Sequence, residues 1–120
     1  MSIRRIVPDI KSQRLEESRE FYVDFLGLKV AMDMGFIMTF VSPDNPTAQI
    51  SVMRDEGAST ILPDISVEVA DVDEVHARAH ERHLEIVYPL TDEPWGVRRF
   101  FVVDPNGITL NVLSHLPKSS

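Results

Sequence analysis

WGVRRFFVVDPNGITLNVLSH, residues 95–115, sets two apolar runs on either side of Asp104-Pro105-Asn106-Gly107. Pro105 presets φ at the second position of a turn, Asn106 is tolerated at the third, and glycine is favoured at the fourth position of a type I turn. The stretch therefore reads as a β-hairpin. Setting Val103 opposite Ile108 puts Asn111 opposite Phe100 and Leu113 opposite Arg98. On that register Arg98, Phe100, Asn111 and Leu113 share one face, and Arg99, Phe101, Leu110 and Val112 share the other.

Upstream of the hairpin, DISVEVA (64–70) reads as a strand, DVDEVHARAHERH (71–83) as a helix and EIVYPL (85–90) as another strand. Asp71 and Glu74 form a capping-box-like start for that helix. The first half has the same order. IRRIVPDI is a strand, SQRLEESREFYVDFLG switches to helical spacing, and LKVAMD, FIMTFVS and AQISVMR are three short strands. Ser12 is the expected N-cap of the first helix, Glu16 and Glu17 suit its first turn, and Gly27 suits its left-handed C′ position. Moving the second half back by 57 positions superposes strand on strand and helix on helix. The chain is expected to be one α+β domain over residues 1–120, built from two tandem βαβββ modules. Module one covers about 3–54, a linker 55–63, and module two about 64–115. Each module is too small to fold alone.

Composition narrows the chemistry. A hydrophobic content of 43% in 120 residues is enough for one core. The chain contains no apolar run of membrane-spanning length and no long apolar stretch at its N-terminus, so a cytoplasmic protein without a membrane partner is expected. With no cysteine, a metal could be held only by His, carboxylate or amide groups. The net charge of −7 opposes nucleic acid as a partner. No GxSxG sequence and no glycine-rich phosphate loop is present.

RLEESREFYVDFLGLKV and DVDEVHARAHERHLEIVYPLTDEPWGVRRFFVVDPNGITLNVL resemble the paired modules of the glyoxalase/bleomycin resistance/dioxygenase group, the vicinal oxygen chelate (VOC) superfamily. EPWGVRRFFVVDPNG carries most of that resemblance, followed by FYVDFLG after an amphipathic helix. It implies half-barrel sheets around a ligand cavity, with helices outside, and a homodimer. It also implies one metal ligand on the first strand and one on the last strand of each module. In this sequence those four places fall on Val7, Ser51 (or Gln49), Asp64 and Asn111. Valine offers no donor, serine is a poor ligand and asparagine brings no charge, so the usual metal site is expected to be lost and no cofactor is expected. A two-residue slip keeps the same strand face, and through it Asp9, Glu68 and Gln49 could rebuild a divalent-metal site.

His76, His80 and His83 lie on one helical stripe and could clamp a metal, but they border the apolar stripe of Val72, Val75 and Ala79, where half-buried rings are favoured. His83 also stands where the family commonly has a helix-ending glycine, and histidine tolerates that backbone better than most residues. Asp64 has two open settings: a base or cation grip facing the cavity, or a solvated carboxylate beside Pro63. Trp95 and Phe36 are expected to line the cavity and stack on a flat ligand, with Met38 and Met53 as adaptable filling. Core packing is the competing reading for each. Arg98 could anchor an acidic group or pair with a surface carboxylate. Two functions follow from the resemblance. One is metal-independent binding or sequestration of a small molecule, an antibiotic or an aromatic metabolite, with Phe36, Met38, Ser51, Met53, Trp95, Arg98, Phe100 and Asn111 as ligand contacts. The alternative is a lyase, isomerase or dioxygenase that uses a shifted metal site or Asp64 as base.

Overall fold

The computed structural model describes residues 2–55 and 61–117, so residues 56–60 of the expected linker lie outside the described residues. The elements run β1 (Ile3–Ser12), α1 (Leu15–Arg19) continuing into a π-helical turn (Glu20–Phe25), β2 (Lys29–Asp33), β3 (Ile37–Val41) and β4 (Gln49–Arg54). The second half gives β5 (Ile65–Val69), α2 (Val72–Glu81), β6 (Ile86–Asp92), β7 (Val97–Val103) and β8 (Thr109–His115). This is the duplicated α+β pattern expected from the sequence. The chain divides into two compact units, one of Val7–Asp64, the other of the residues up to Ile6 together with Ile65 onward. β1 therefore contributes its first residues to the second module's unit.

In the unit of Val7–Asp64 the strand order is β2-β3-β4-β1, with β1 parallel to β4 and the other neighbours antiparallel. Alternation along the strands puts Met38, Phe40 and Val52 on one face, where Leu15, Tyr22 and Val23 of the helical segment pack on them. Tyr22 stacks on Phe40 at 5.5 Å between ring centroids. The helix starts later than the sequence reading expects. Ser12 is the last residue of β1, and its hydroxyl accepts a hydrogen bond from the Arg14 N–H at 2.8 Å, capping a turn rather than the helix. Arg14 takes the N-cap position without a side-chain cap. At the other end, the Leu26 N–H reaches back five residues to the Phe21 carbonyl, and Gly27 stops the helix at φ +82°, as expected of a C′ glycine.

The other unit repeats the arrangement with order β5-β8-β7-β6, β5 lying parallel to β8. Its core is Val69, Val72, Ala79, Phe100, Val102 and Val112, formed by one face of α2 against one face of the sheet. Asp71 caps α2 as expected, accepting from the N–H groups of Asp73 and Glu74. Its far end closes on His83 at φ 55°. The His83 N–H bonds to the His80 carbonyl and the Leu84 N–H to the Ala79 carbonyl, a Schellman pair with histidine in the glycine place. Pro89 is tolerated in β6 because that strand forms the edge.

The hairpin register differs by one residue from the sequence reading. Asp104 and Ile108 close the loop through a 2.9 Å backbone hydrogen bond, which leaves only Pro105, Asn106 and Gly107 between them, with Gly107 at φ +81°. This is a type I turn followed by a left-handed residue, the usual three-residue hairpin loop. Phe101 is thereby placed opposite Asn111, Phe100 opposite Val112 and Arg99 opposite Leu113. A one-residue slip exchanges faces. Arg98 and Phe100 therefore leave the face of Asn111, and Arg99 and Phe101 join it.

Candidate functional site

In the second module's unit the face turned away from α2 is built by strand alternation. Cα pairing joins Ser66 of β5 to Asn111 of β8, Asn111 to Phe101 of β7, and Phe101 to Tyr88 of β6. One side chain from each strand forms a row that runs from hydroxyl and amide to aromatic rings. Asn111 is 8% exposed. Its Nδ2 donates to the Ser66 hydroxyl at 3.1 Å, while its Oδ1 is buried without a hydrogen-bond partner. A buried, unsatisfied acceptor is rare in folded proteins and costs about 1–3 kcal/mol.

Beside that row stands Arg99. Its guanidinium lies 4.9 Å from the Phe101 ring centroid, 5.1 Å from Trp95 and 5.2 Å from Tyr88. Its Nε donates to Glu93 Oε2 at 3.0 Å, Nη2 forms an ion pair with the same oxygen at 2.7 Å, and the Tyr88 hydroxyl donates to that carboxylate at 3.2 Å. Glu93 is held in turn by the tight β6–β7 connection, where its N–H bonds to the Val97 carbonyl and its carbonyl accepts from Gly96. On the β5 side of the face, Glu68 is paired with Arg5 and lies 3.8 Å from His115.

The first module has a corresponding polar pair on its own sheet. Asp9 is the Cα partner of Ser51, and the Ser51 hydroxyl shares a 2.8 Å hydrogen bond with Thr39. All three are buried. Asp9 precedes Ser66 by the 57 positions of the internal repeat, so Asp9 with Ser51 repeats the place of Ser66 with Asn111.

The remaining candidates divide between faces. Ser51 and Met53 lie on the face of Asp9, both buried, whereas Met38 lies in the core against the helical segment. Phe36 is in the turn before β3 and half exposed. Trp95 is half exposed in the β6–β7 connection and covers Arg99. Phe100 is fully buried, with the His76 ring edge-on at 4.9 Å. Arg98 binds Asp92 through two nitrogens and Asp73 of α2 through a third, at 3.0 Å. The hydrogen bond from Arg98 lowers the Asp92 pKa, and Asp92 in turn raises that of Arg98. Asp64 stands just before β5, its side chain 38% exposed and 3.9 Å from Lys11 Nζ. Tyr88, Glu93, Ser66 and Arg99 are site residues that the sequence reading does not single out. For Arg99 the sequence signal is Gly107, which suits the left-handed last position of a three-residue loop and so places Arg99 on the face of Asn111.

The four metal-ligand places do not fit a divalent ion. Val7 has no donor, the Ser51 hydroxyl is engaged with Thr39, the Asn111 amide is neutral, and only Asp64 carries charge. Among the described residues no group of three His, Asp or Glu side chains is disposed to hold a metal. His76 and His80 are neighbours at 6.3 Å between rings, but no third ligand joins them.

The sequence model of the glyoxalase/bleomycin resistance protein/dioxygenase superfamily matches residues 6–112. Among curated proteins no significant match is found. A superfamily member from Vibrio splendidus superposes with a TM-score of 0.72 at 17% identity, covering 94% of this chain and 99% of that one. A hypothetical protein from Bacillus halodurans gives 0.73 at 14% identity, covering 100% and 99%. A variant of homoprotocatechuate 2,3-dioxygenase from Brevibacterium fuscum gives 0.72 at 21% identity, covering 99% of this chain and 34% of the dioxygenase. At these identities the likeness is one of fold.

Proposed function

The chain belongs to the glyoxalase/bleomycin resistance protein/dioxygenase superfamily, and from that premise we propose that it binds a planar small molecule, an aromatic metabolite or antibiotic, without a metal ion. One observation carries the reading. Asn111 Oδ1 is buried and unpartnered in the unliganded protein, and a ligand N–H or O–H that opens the packing between Ser66 and Phe101 would satisfy it. Trp95, half exposed, and Tyr88, part-exposed, are the rings beside Arg99 on which a flat ligand can stack, whereas Phe101 is buried beneath them. Asp64, part-exposed and beside Lys11, lacks the full enclosure that would favour the Asp-base enzyme. Homodimerisation belongs to the same proposal. It is supported by the exposed apolar side chains Phe21, Phe25 and Leu26.

The test is calorimetric titration of chelator-treated protein with phenols and N–H heteroaromatics, and with their O- or N-methylated forms, which cannot donate to Asn111. Saturable binding that methylation weakens, and that Asn111→Leu removes, supports the reading. Equal binding by Asn111→Leu overturns it.

A further inference from the structure

Asn106–Gly107 is the one place in the chain where glycine follows asparagine. Asn45 precedes a proline, which has no N–H, and Asn111 is buried and followed by the branched Val112. The pair matters because the backbone nitrogen after an asparagine can attack its side-chain amide carbon, and a glycine, without a Cβ, leaves that approach open. Asn106 and Gly107 are both exposed at the tip of the β7–β8 hairpin, and a Cβ built on Gly107 would meet nothing within 4 Å. Solvent reaches both residues.

Asp104 holds the loop. Its Oδ1 accepts from the Asn106 N–H at 2.8 Å and the Ile108 N–H at 2.9 Å, and its Oδ2 accepts from Asn106 Nδ2 at 3.3 Å. Its backbone carbonyl accepts from the Gly107 N–H at 3.1 Å. Both groups that would react are therefore engaged: the side-chain amide is turned toward Asp104, and the attacking nitrogen keeps its proton in a hydrogen bond. Ring closure also needs the Gly107 nitrogen eclipsed with Asn106 Cβ. The third position of a type I turn has ψ near zero, which eclipses it with the Asn106 nitrogen instead. The Asp104 carboxylate adds a like charge to the loop in which an amide anion must form.

The structure assigns Asn106 as a site of spontaneous deamidation, with Asp104 as the positioning residue that restrains it. The Gly107 nitrogen loses its proton to hydroxide and bonds to Asn106 Cγ, the Cγ–Nδ2 bond breaks, and ammonia leaves with a proton from water. The product is a cyclic imide. Water then opens it at either carbonyl, breaking one C–N bond, to leave aspartate or isoaspartate at 106. Either product puts a carboxylate where Nδ2 now donates to Asp104, replacing a hydrogen bond with like-charge repulsion. Isoaspartate also adds one backbone atom to the three-residue loop whose length sets which face of β7 stands with Asn111. The assignment holds whatever the chain binds.

The experiment is peptide mass spectrometry of the full chain after incubation at mildly alkaline pH, folded and in urea, with isoaspartate identified by an isoaspartyl methyltransferase. Asn106 is expected to convert in urea, and to convert about tenfold or more slowly in the folded protein, the effect of one or two hydrogen bonds that must first break. Asp104→Asn keeps an acceptor oxygen but loses the charge, and Asp104→Ala loses both. When folded, both are expected to convert faster than the native protein, Asp104→Ala the more so, and in urea all three at one rate. His83→Val weakens the fold away from this loop and is expected to leave the rate at Asn106 unchanged. An Asn106 that stays intact in urea overturns the site. Equal rates for the folded and the urea-treated native protein overturn the restraint. Acceleration by His83→Val as large as that by Asp104→Ala ties the rate to unfolding and overturns the role of Asp104. Asp104→Asn decides the matter if Asp104→Ala does not fold.

Discussion

Phe101 lies directly opposite Asn111 in the β7–β8 ladder, and the amide it faces keeps one buried oxygen unpartnered. A group that costs free energy in the unliganded protein and gains a partner on binding separates stability from function. Asn111→Leu is expected to raise stability by about 1–3 kcal/mol, the cost of an orphaned acceptor, while lowering ligand affinity. Urea unfolding of the two proteins without ligand reads the first effect. A less stable variant would mean that the oxygen is satisfied in solution.

Metal addition is expected to leave thermal stability unchanged. A ligand that binds only the native state raises the unfolding midpoint by mass action, so even a modest site is visible. Chelator-treated protein should melt at the same temperature with and without Mn, Fe(II), Co, Ni or Zn. The same scan on a variant with His76 and His80 replaced separates adventitious binding on α2 from a site on the sheets. A rise that survives their removal would mean that other oxygen donors assemble an ion site.

His83 sits at φ 55° with no glycine's freedom, closing a Schellman pair. The left-handed region costs a residue with a Cβ roughly 1–2 kcal/mol, and glycine returns part of that through its larger unfolded-state entropy. His83→Gly is expected to stabilise the protein by about 0.5–1 kcal/mol. His83→Val, β-branched and disfavoured there, should destabilise it. Denaturant midpoints of the three proteins give the order.

Asp104 holds the hairpin loop by accepting from the N–H of Ile108 at 2.9 Å and of Asn106 at 2.8 Å. The Ile108 bond is the largest cause of its lowered pKa, with the Asn106 contacts adding to it and partial burial opposing. A carboxyl lowered in the folded state contributes stability above its unfolded pKa, about 3.9, and loses it as pH falls through the lower folded value. Asp92, lowered by Arg98, acts in the same direction. Stability should therefore fall as pH drops below about 4, and Asp104→Asn should flatten that slope. Thermal midpoints across the acid range test it. A slope unchanged in the variant would remove Asp104 from the account.

Most of the fold is legible in the sequence because its elements are set by local chemistry. β7 runs from Val97 to Val103 as the apolar pattern indicates, Asp71 caps α2, and Gly27 and His83 end their helices where left-handed backbone is needed. The candidate site is less legible, because faces depend on loop length. A turn read as four residues instead of three moves Phe100 onto the face of Asn111 and Arg99 off it, although every strand is in its place. Ser12 shows the same limit on a smaller scale. A hydroxyl before a helical pattern can cap a turn as readily as a helix, and the extent of β1 decides between them.

The division of β1 bears on how this protein can be taken apart. Its first residues belong to the unit of the second module, where Arg5 pairs with Glu68 and the Ser2 carbonyl accepts from Ala70, whereas Val7 onward belongs to the other. Fragments cut at the inter-module connection would therefore not be the natural halves. The piece starting near Asp64 would lack the strand that answers Glu68, and the piece ending there would carry that strand as a surplus overhang. A circularly permuted chain, opened at the inter-module connection and joined from tail to head, would keep Arg5 in continuous sequence with the module it completes.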